Sequence, residues 1–318
     1  MIAPDKARIA VIGAGLMGHG IAQVFALAGH AVTITDSFQV TLDSAKDRIR
    51  ANLRDLGDDE RAADRVIAVA DLAEAVKDAD YVVEAVLENL ELKQTLFAEI
   101  EKHVRPDTIL ASNTSVIPIT AIMQGLKQRE RALGTHFWNP PFLVPLVEVI
   151  ETQWTRPDVV SWTMDLHRGA GKTPAHVKKD VPGFIGNRLQ HALWREAISL
   201  VENGICDAET VDAVVKAAFG RRLAVLGPLE NADMVGTDLT LAIHNTVLPA
   251  IDSRPAASPY LEKLVADGKL GFKSGEGFRT WTPEQQAALR QTVLQHLKTA
   301  RTQDQPDSRP GQQAGRNP

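Results

Sequence analysis

The chain has 318 residues, more than one ordinary hydrophobic core accommodates, so its length predicts two domains. Hydrophobic residues make up 44% of the chain and charged residues 24%, which is typical of a soluble globular protein. The net charge is -5, and the sequence contains no block of lysines and arginines that would favour binding to nucleic acid or an anionic membrane. The single cysteine, Cys206, excludes an intramolecular disulfide and favours a reducing, cytoplasmic compartment. No apolar run is long enough for a signal peptide or a membrane span, and no metal site is expected.

The first half of the chain alternates strand and helix patterns. Short runs rich in isoleucine and valine are typical of buried strands, and longer runs with helical spacing separate them. The predicted elements in chain order are the strand RIAVIG, the helix HGIAQVFALAG, the strand AVTITD, a helix over 38–56, the strand YVVEAV, the helix LELKQTLFAEIEKHV, and the strands TILAS, RALGTHF and LVEVI. This alternation predicts an α/β fold, a Rossmann-type, doubly wound and mostly parallel sheet covered on both faces.

The pattern becomes helical near residue 183. Apolar residues recur at helical spacing in GFIGNRLQHALWREAISLVENG, and Asp207 is a candidate N-cap for a second helix, DAETVDAVVKAAFG. No clear strand follows, so we predict a Rossmann-type domain over residues 1–182 and an all-α domain over 183–300. Residues 301–318 contain no large apolar residue, which predicts a disordered tail.

A glycine-rich turn separates the first strand from the first helix. Gly13, Gly15 and Gly18 form the pattern G-x-G-x-x-G, and Leu16 and Met17 lie inside the same turn. Such a pattern alone is weak, but here it stands in the first β-α-β unit, where its mechanism requires it. The three glycines would make the tight turn, let the backbone approach a pyrophosphate, and let helix and strand pack closely. The phosphates would bind at the helix N-terminus.

Asp36 ends the second strand, 18 residues after the last glycine of the turn. A carboxylate at this place accepts hydrogen bonds from both ribose hydroxyls of adenosine and repels a 2′-phosphate. Neither Ser37 nor Phe38 is the arginine that an NADP site would use. The alternative is that Asp36 only caps the next helix. With the complete motif in place, we expect NAD as the cofactor.

Several stretches of the chain resemble the 3-hydroxyacyl-CoA dehydrogenase family. The resemblance runs from residue 7 to about 278 and rests on VIGAGLMGHGIA, VVEAVLENLELKQTLF, SNTSVIPI, GTHFWNPPFLVPLVEVI, KKDVPGFIGNRL and KLGFKSGEGF. It implies an NAD-binding domain, a helical C-terminal domain with a site between the two, and a homodimer formed largely through the helical domain.

The resemblance also implies functional residues by position. His136 matches the family's catalytic base, Glu148 its partner carboxylate, and Ser115 and Asn187 the polar residues that face the reacting oxygen. Five residues match those that contact the ribose, phosphate or nicotinamide of NAD: Glu88, Lys93, Ser115, Asn139 and Lys273.

The chemistry of alcohol oxidation fits these residue types. Removing a hydride from carbon leaves a proton to be taken from oxygen, and histidine titrates in the right range to accept it. A lone histidine at a strand end is more often packed than catalytic, but Glu148 is the only charged residue in PFLVPLVEVI, which favours a buried pair with His136 over an edge-strand residue facing water. The two prolines after Asn139 stiffen the chain beside His136.

Alternative roles remain open for the other polar candidates. Ser115 and Asn187 would hold the carbonyl oxygen as it forms, but Ser115 would equally cap a helix and Asn187 would equally be a solvated residue of a first helical turn. Arg188 is a candidate for binding a substrate carboxylate, with a surface or interdomain ion pair as the alternative.

The chain departs from acyl-CoA members of the family in one segment. Those members carry a long, lysine-rich helical excursion after the second strand that receives the CoA phosphates, whereas residues 52–60 here are short and acidic. The form FWNPPFLVPLVE is more similar to relatives that act on free acids, such as gulonate dehydrogenase, also a lens crystallin, and a dehydrogenase of vitamin B6 breakdown. A small free 3-hydroxy acid or similar anionic alcohol is slightly favoured over a short-chain 3-hydroxyacyl-CoA such as 3-hydroxybutyryl-CoA.

Two further classes of protein share this fold. A crystallin-like structural protein or an NAD sensor would keep the glycine turn and Asp36 but would not need a histidine paired with a carboxylate. The residues therefore favour an NAD-dependent dehydrogenase that acts on a small molecule.

Overall fold

The structure, a computed structural model, describes residues 1–304 and divides into two compact units. Among the described residues, the first unit comprises 1–187 together with 294–304, and the second comprises Arg188–Val293. Within residues 1–304 no helix is both long enough and apolar enough to cross a membrane.

An eight-stranded sheet forms the centre of the first unit. Its strands are β1 (Ile9–Ile12), β2 (Val32–Thr35), β3 (Val66–Ala68), β4 (Tyr81–Glu84), β5 (Ile109–Ser112), β6 (Ala132–Phe137), β7 (Leu146–Ile150) and β8 (Thr173–Val177). The strand order is β3-β2-β1-β4-β5-β6-β7-β8, and β7 and β8 run antiparallel to the other six. The predicted doubly wound, mostly parallel sheet is confirmed.

Helices separate the strands and make up most of the second unit. They are α1 (Leu16–Leu27), α2 (Gln39–Asp43), α3 (Ala45–Leu56), α4 (Leu72–Val76), α5 (Leu90–His103), α6 (Ile119–Met123), α7 (Pro157–Gly169), α8 (Gly186–Glu202), α9 (Ala208–Ala217), α10 (Pro228–Val235), α11 (Thr237–Val247), α12 (Pro259–Ala266) and α13 (Pro283–Asp304). Short 3₁₀ helices cover Pro4–Lys6, Glu60–Arg65, Arg129–Arg131, Phe219–Arg221 and Leu248–Ala250.

The sheet is buried on both faces because its central strands are apolar throughout. In β1, Ile9 and Val11 join the core on one face, while Ala10 and Ile12 join the core on the other. Side chains alternate between the faces of a strand, so a continuous apolar run satisfies two cores at once. This is why RIAVIG shows no polar alternation.

The structure adds detail to several predicted elements. The helix predicted over 38–56 is interrupted at Ser44 and forms α2 and α3. The strands β3 and β8 were not predicted, since their sequences VIA and TPAHV give only weak strand patterns. As predicted, Asp207 caps α9, and its side chain accepts a hydrogen bond from the backbone of Thr210.

The end of the chain differs from its prediction. Residues 301–304, assigned to a disordered tail, continue α13, and the rest of that tail, 305–318, lies outside the described residues. Lys298 forms an ion pair with Asp55 at 2.7 Å, and Arg301 donates a 3.0 Å hydrogen bond to Asp58. These cationic side chains fix the end of α13 to the last turn of α3 and the residues just after it, a contact that composition alone could not indicate.

Candidate functional site

The candidate residues of the first unit gather at one edge of the sheet. The glycine turn follows β1, Asp36 follows β2, Glu88 follows β4, Ser115 follows β5, and His136 lies near the end of β6. All of these strands are parallel, so their carboxyl ends meet at the same edge. The strand order reverses between β1 and β4. Ligands of such sheets bind beside this reversal, at the carboxyl ends of the strands.

The glycine turn leaves room for a pyrophosphate. Gly13 has a φ of +96°, and a Cβ there would lie 2.7 Å from the carbonyl oxygen of Ala85. A Cβ on Gly18 would lie 1.7 Å from the carbonyl oxygen of Gly13, so helix and strand pack too closely for any side chain. A Cβ on Gly15, by contrast, would have no atom within 4 Å. That open space lies at the N-terminus of α1, where NAD phosphates fit.

Asp36 accepts backbone hydrogen bonds with both carboxylate oxygens, one of them from the glycine turn. Oδ2 accepts a 2.6 Å hydrogen bond from the backbone N–H of Ala14, and Oδ1 accepts one of 2.8 Å from Phe38. A carboxylate has about four lone-pair sites, so two remain for the hydroxyls of a ribose. Arg48, which sequence reasoning missed, donates to the carbonyl oxygens of Ala14 at 2.6 Å and Thr41 at 2.9 Å.

His136 and Glu148 form a buried pair. They are direct cross-strand neighbours in the antiparallel pairing of β6 with β7, and Nδ1 of His136 lies 2.7 Å from Oε2 of Glu148. Only 4% of His136 and 1% of Glu148 is exposed. Because Nδ1 donates to the carboxylate, Nε2 carries the free lone pair of the neutral ring.

The second oxygen of Glu148 holds the start of α8. Oε1 accepts hydrogen bonds from the backbone N–H groups of Ile185 at 2.9 Å and Gly186 at 3.0 Å. Burial alone would raise the pKa of Glu148, but the hydrogen bonds from His136, Gly186 and Ile185 together hold that pKa below its ordinary value. The carboxylate is therefore ionised at neutral pH and stabilises a positive charge on His136.

Asn187 and Ser115 are also brought together. The side-chain amide of Asn187, in the first turn of α8, donates a 2.8 Å hydrogen bond to the carbonyl oxygen of Ser115. The backbone N–H of Ser115 donates in turn to Glu88 at 2.9 Å. Ser115 is exposed at its strand end. The four predicted catalytic residues are thus connected through Glu148, the start of α8 and Asn187.

The remaining predicted cofactor residues have different surroundings. Lys93 is 1% exposed, and its ammonium group binds Glu84 at 2.6 Å and lies 3.4 Å from Glu88. Asn139 is exposed at the end of β6, whereas Lys273 belongs to the second unit and lines an apolar pocket of about 600 Å³ there. The roles of these residues toward NAD stay predictions.

Three further residues, two of them beside His136, were not predicted from the sequence. The ring of Trp138 lies 5.5 Å from that of His136 and fills the space where Gly186 would carry a Cβ. The ring of Phe184 lies 5.6 Å from His136, and its φ of 51° places it in the left-handed region. Glu84 lies fully buried at the end of β4, although a charged residue in the apolar run YVVEAV is the same signal that identified Glu148.

The chain matches two family profiles over most of its length. Residues 8–181 match the 3-hydroxyacyl-CoA dehydrogenase NAD-binding domain, and residues 183–281 match the C-terminal domain of the same family. Fold and site therefore define an NAD-binding α/β domain followed by a helical domain. The chain belongs to the 3-hydroxyacyl-CoA dehydrogenase family, and it is an NAD-dependent dehydrogenase acting on CH–OH groups.

The similar proteins include an enzyme whose name refers to a free acid and an enzyme whose name refers to a coenzyme A thioester. The 5-formyl-3-hydroxy-2-methylpyridine 4-carboxylate 5-dehydrogenase of Mesorhizobium japonicum is 36% identical and covers 92% of this chain and 97% of its own. The mitochondrial hydroxyacyl-coenzyme A dehydrogenase of Homo sapiens is 39% identical and covers 85% and 90% respectively. A crystal structure of a 5-formyl-3-hydroxy-2-methylpyridine 4-carboxylic acid 5-dehydrogenase, an NAD⁺-dependent dismutase, has a TM-score of 0.87 at 35% identity and covers 94% of this chain and 98% of its own.

Proposed function

We propose that the enzyme oxidises the hydroxyl group of a small free 3-hydroxy acid or a similar anionic alcohol, with His136 as the catalytic base. The buried bond between Nδ1 of His136 and Oε2 of Glu148 is the observation that carries this proposal. A histidine held in one tautomer by an ionised carboxylate is the arrangement that accepts a proton from an alcohol.

The proton moves from the substrate hydroxyl to Nε2 of His136. Bound NAD supplies the hydride acceptor for the carbon that bears this hydroxyl. Glu148 orients the imidazole and stabilises the imidazolium that forms, and it stays ionised because the N–H groups of Ile185 and Gly186 bind its other oxygen. Burial of the pair keeps water away from the charge that develops.

Ser115 and Asn187 would hold the reacting oxygen. Asn187 fixes the backbone of Ser115 through its carbonyl oxygen, which leaves the Ser115 hydroxyl available to the substrate. Glu88 fixes the same turn from the other side by accepting the N–H of Ser115. A donor placed in advance stabilises a developing oxyanion without reorganising in the reaction.

In the segment where CoA phosphates would bind, arginine side chains form ion pairs with neighbouring carboxylates. Residues 52–60 carry four carboxylates and one arginine. Arg54 pairs with Glu60 at 2.7 Å, and Arg61 pairs with Asp59 at 2.9 Å. The arginines that could attract phosphates are thus already neutralised, which disfavours a CoA thioester.

The end of α13 covers the same segment. Lys298 pairs with Asp55, and Arg301 pairs with Asp58, so two of the four carboxylates of this segment are bound by α13. We take these ion pairs as further support for a substrate without CoA.

Trp138 offers a hydrogen-bond donor for such a substrate. Its buried Nε1 has no hydrogen-bond partner among residues 1–304, and its ring packs beside His136. Leaving a buried N–H without an acceptor is unfavourable, which supports an anionic ligand there. Arg188, exposed and next to Asn187 in the chain, is our candidate for the substrate carboxylate.

Paired substrates test this proposal. Oxidation of 3-hydroxybutyrate and reduction of acetoacetate are compared with the reactions of their CoA thioesters, and 5-formyl-3-hydroxy-2-methylpyridine 4-carboxylate is assayed beside them. We expect a higher kcat/KM for free acids and weak inhibition by free CoA. Trp138→Phe, which removes the N–H but keeps an aromatic ring, should raise KM for the free acid. Reduction of acetoacetyl-CoA far faster than any free keto acid would show that the substrate is a thioester.

We also propose a homodimer formed by the helical domain. Leu229, Met234 and Leu241, on α10 and α11, are 79%, 65% and 61% exposed. Large exposed apolar side chains on neighbouring helices are typical of protein–protein interfaces. Light scattering should give twice the 34.6 kDa of one chain. Leu241→Lys should lower that mass while the exposed control Thr246→Lys does not, and a monomeric wild type would contradict the dimer.

We also propose that the enzyme is cytoplasmic. Its support is Cys206, the single cysteine of the sequence, which suits a reducing compartment. Fractionation of the native host tests it, with recovery outside the cytoplasm as the opposing result.

A further inference from the structure

Strand β4 carries a buried carboxylate at each end. Asp80 precedes the strand and is 6% exposed, and Glu84 ends it and is 0% exposed. At the amino end, Asp80 binds two arginines, Arg8 and Arg105. That cluster lies at the opposite edge of the sheet from the glycine turn, whereas Glu84 lies at the edge where ligands bind.

Three donors converge on Glu84. Its Oε1 accepts hydrogen bonds from the ammonium group of Lys93 at 2.6 Å and from the backbone N–H of Val86 at 2.7 Å, and its Oε2 accepts one from the hydroxyl of Ser112 at 2.6 Å. Lys93 is itself 1% exposed, so the pair is shielded from water. Removing one partner of such a pair leaves an uncompensated buried charge.

The network continues from Lys93 to the turn that carries Ser115. The Lys93 ammonium lies 3.4 Å from Oε2 of Glu88, and Oε1 of Glu88 accepts hydrogen bonds from the Thr114 hydroxyl at 2.5 Å and the N–H groups of Ser115 at 2.9 Å and Val116 at 3.2 Å. Burial raises the pKa of Glu88, but the bonds from Thr114 and Ser115 and the charge of Lys93 outweigh it and hold the pKa below its ordinary value.

A second connection reaches the same turn through Ser112. Its Oγ donates to Glu84 and accepts a 3.3 Å hydrogen bond from the backbone N–H of Thr114. Glu84 is thus linked to residues 114–116 both through an ion pair and through a hydroxyl group.

We propose that Glu84 is a positioning residue of the cofactor and substrate site, which acts on Ser115 through Lys93 and Glu88. Glu84 holds the shared ammonium group close to itself and leaves Glu88 free to accept the Thr114 hydroxyl and the N–H groups of Ser115 and Val116. Without the charge of Glu84, Lys93 closes onto Glu88 and competes with those N–H groups. This inference rests on the proposed roles of Ser115, Glu88 and Lys93 at the site.

Titration with NADH, followed by its fluorescence, tests the proposal without any substrate. Glu84→Gln should weaken NADH binding about tenfold, a typical size for coupling within a charge network. Asp80→Asn breaks a buried cluster on the same strand and should lower Tm comparably while changing NADH affinity less than about twofold. Equal losses of affinity in both variants would reduce Glu84 to a purely structural role and overturn the inference.

A double-mutant cycle tests the route through Lys93. Glu84→Gln combined with Lys93→Met removes the ammonium group that would otherwise capture Glu88. The double variant should therefore bind NADH more tightly than the product of the two single effects predicts, by about fivefold. Strictly additive effects would contradict the route.

Two milder variants test the same positioning role of Glu84 if Glu84→Gln does not fold. Ser112→Ala and Thr108→Ala each remove a buried hydroxyl, at the carboxyl and amino ends of β5 respectively. Only Ser112→Ala should weaken NADH binding, and an equal effect of both would overturn the inference. Asp36→Ala serves as a reference for lost cofactor binding, so a failed catalytic role for His136 would leave this test valid.

Discussion

The imidazole of His136 and the carboxylate of Glu148 lie directly opposite each other on antiparallel strands, with 2.7 Å between Nδ1 and Oε2. The strand β7 reverses direction next to β6, and this reversal places a residue twelve positions later beside the histidine. The other oxygen of Glu148 binds the start of α8, so one carboxylate connects the candidate base to the helix that carries Asn187.

Replacement of the candidate base should abolish most turnover. His136→Ala should lower kcat about 10²- to 10⁴-fold, the usual contribution of a general base. NADH affinity should stay nearly normal, because no hydrogen bond of the glycine turn involves this ring. Steady-state kinetics and fluorescence titration measure the two effects. Near-normal turnover by the variant would rule out the proposed mechanism.

Neutralising the partner carboxylate should change the pH dependence of the reaction. Glu148→Gln keeps the size of the side chain but removes the negative charge that stabilises a protonated His136. The acidic limb of the pH–rate profile should therefore move to lower pH, and kcat should fall. Glu151→Gln is the matched control, since Glu151 follows the same strand but binds His176. An unchanged acidic limb of the pH–rate profile would mean that the charge of Glu148 does not influence the protonation of His136.

Asp36 should decide the preference for NAD over NADP. Its carboxylate binds the N–H groups of Ala14 and Phe38, and in our reading it accepts the ribose hydroxyls as well. Asp36→Ala should weaken NAD use and narrow the difference in kcat/KM between the two cofactors. Asp43→Ala, an exposed change in the neighbouring helix, should do neither. Equal use of both cofactors by the wild type would contradict this role.

His167 should make the fold sensitive to acid. It is fully buried, neither ring nitrogen has a partner within residues 1–304, and burial together with the charge of Lys172 lowers its pKa to about 3. Below pH 6.5 the unfolded chain therefore binds a proton that the folded chain does not. The free energy of unfolding should fall by about 1.4 kcal/mol per pH unit from this site as pH drops from 6.5 toward 3.

Urea denaturation at pH 7 and pH 5 measures this effect. His167→Phe should reduce the difference in unfolding free energy between the two pH values, because the phenyl ring cannot be protonated in either state. The exposed variant His244→Gln should retain the wild-type difference. An unchanged difference in His167→Phe would show that His167 is not the group responsible.

The end of α13 should stabilise the first unit, whereas the residues beyond it should be dispensable. Truncation after residue 304 should leave Tm unchanged, because residues 305–318 contain no large apolar residue. Truncation after Leu297 removes the partners of Asp55 and Asp58 and should cost about 1 kcal/mol, less at high salt. Calorimetry of both truncated proteins measures this, and equal Tm values would contradict a role for the ion pairs.

The elements that depend on neighbours along the chain could be predicted from the sequence. The strand–helix alternation follows from local periodicity, and the glycine turn follows from backbone positions such as Gly13 that no side chain tolerates. Glu148 could be predicted as buried because a single charge in an apolar strand needs a partner. Glu84 is likewise the only charged residue in YVVEAV, so its burial with a partner could also be predicted from the sequence.

The partners themselves depended on the tertiary structure. Asn187 binds the carbonyl of Ser115 across 72 positions, and Arg301 binds Asp58 across 243. Which side chains meet at such separations depends on strand order, register and the direction of β7, and none of these is encoded in local spacing. The sequence therefore determined which chemical groups the site has, and the packing of the sheet decided which of them share a proton, a charge or a hydrogen bond, because those interactions act only over a few ångströms.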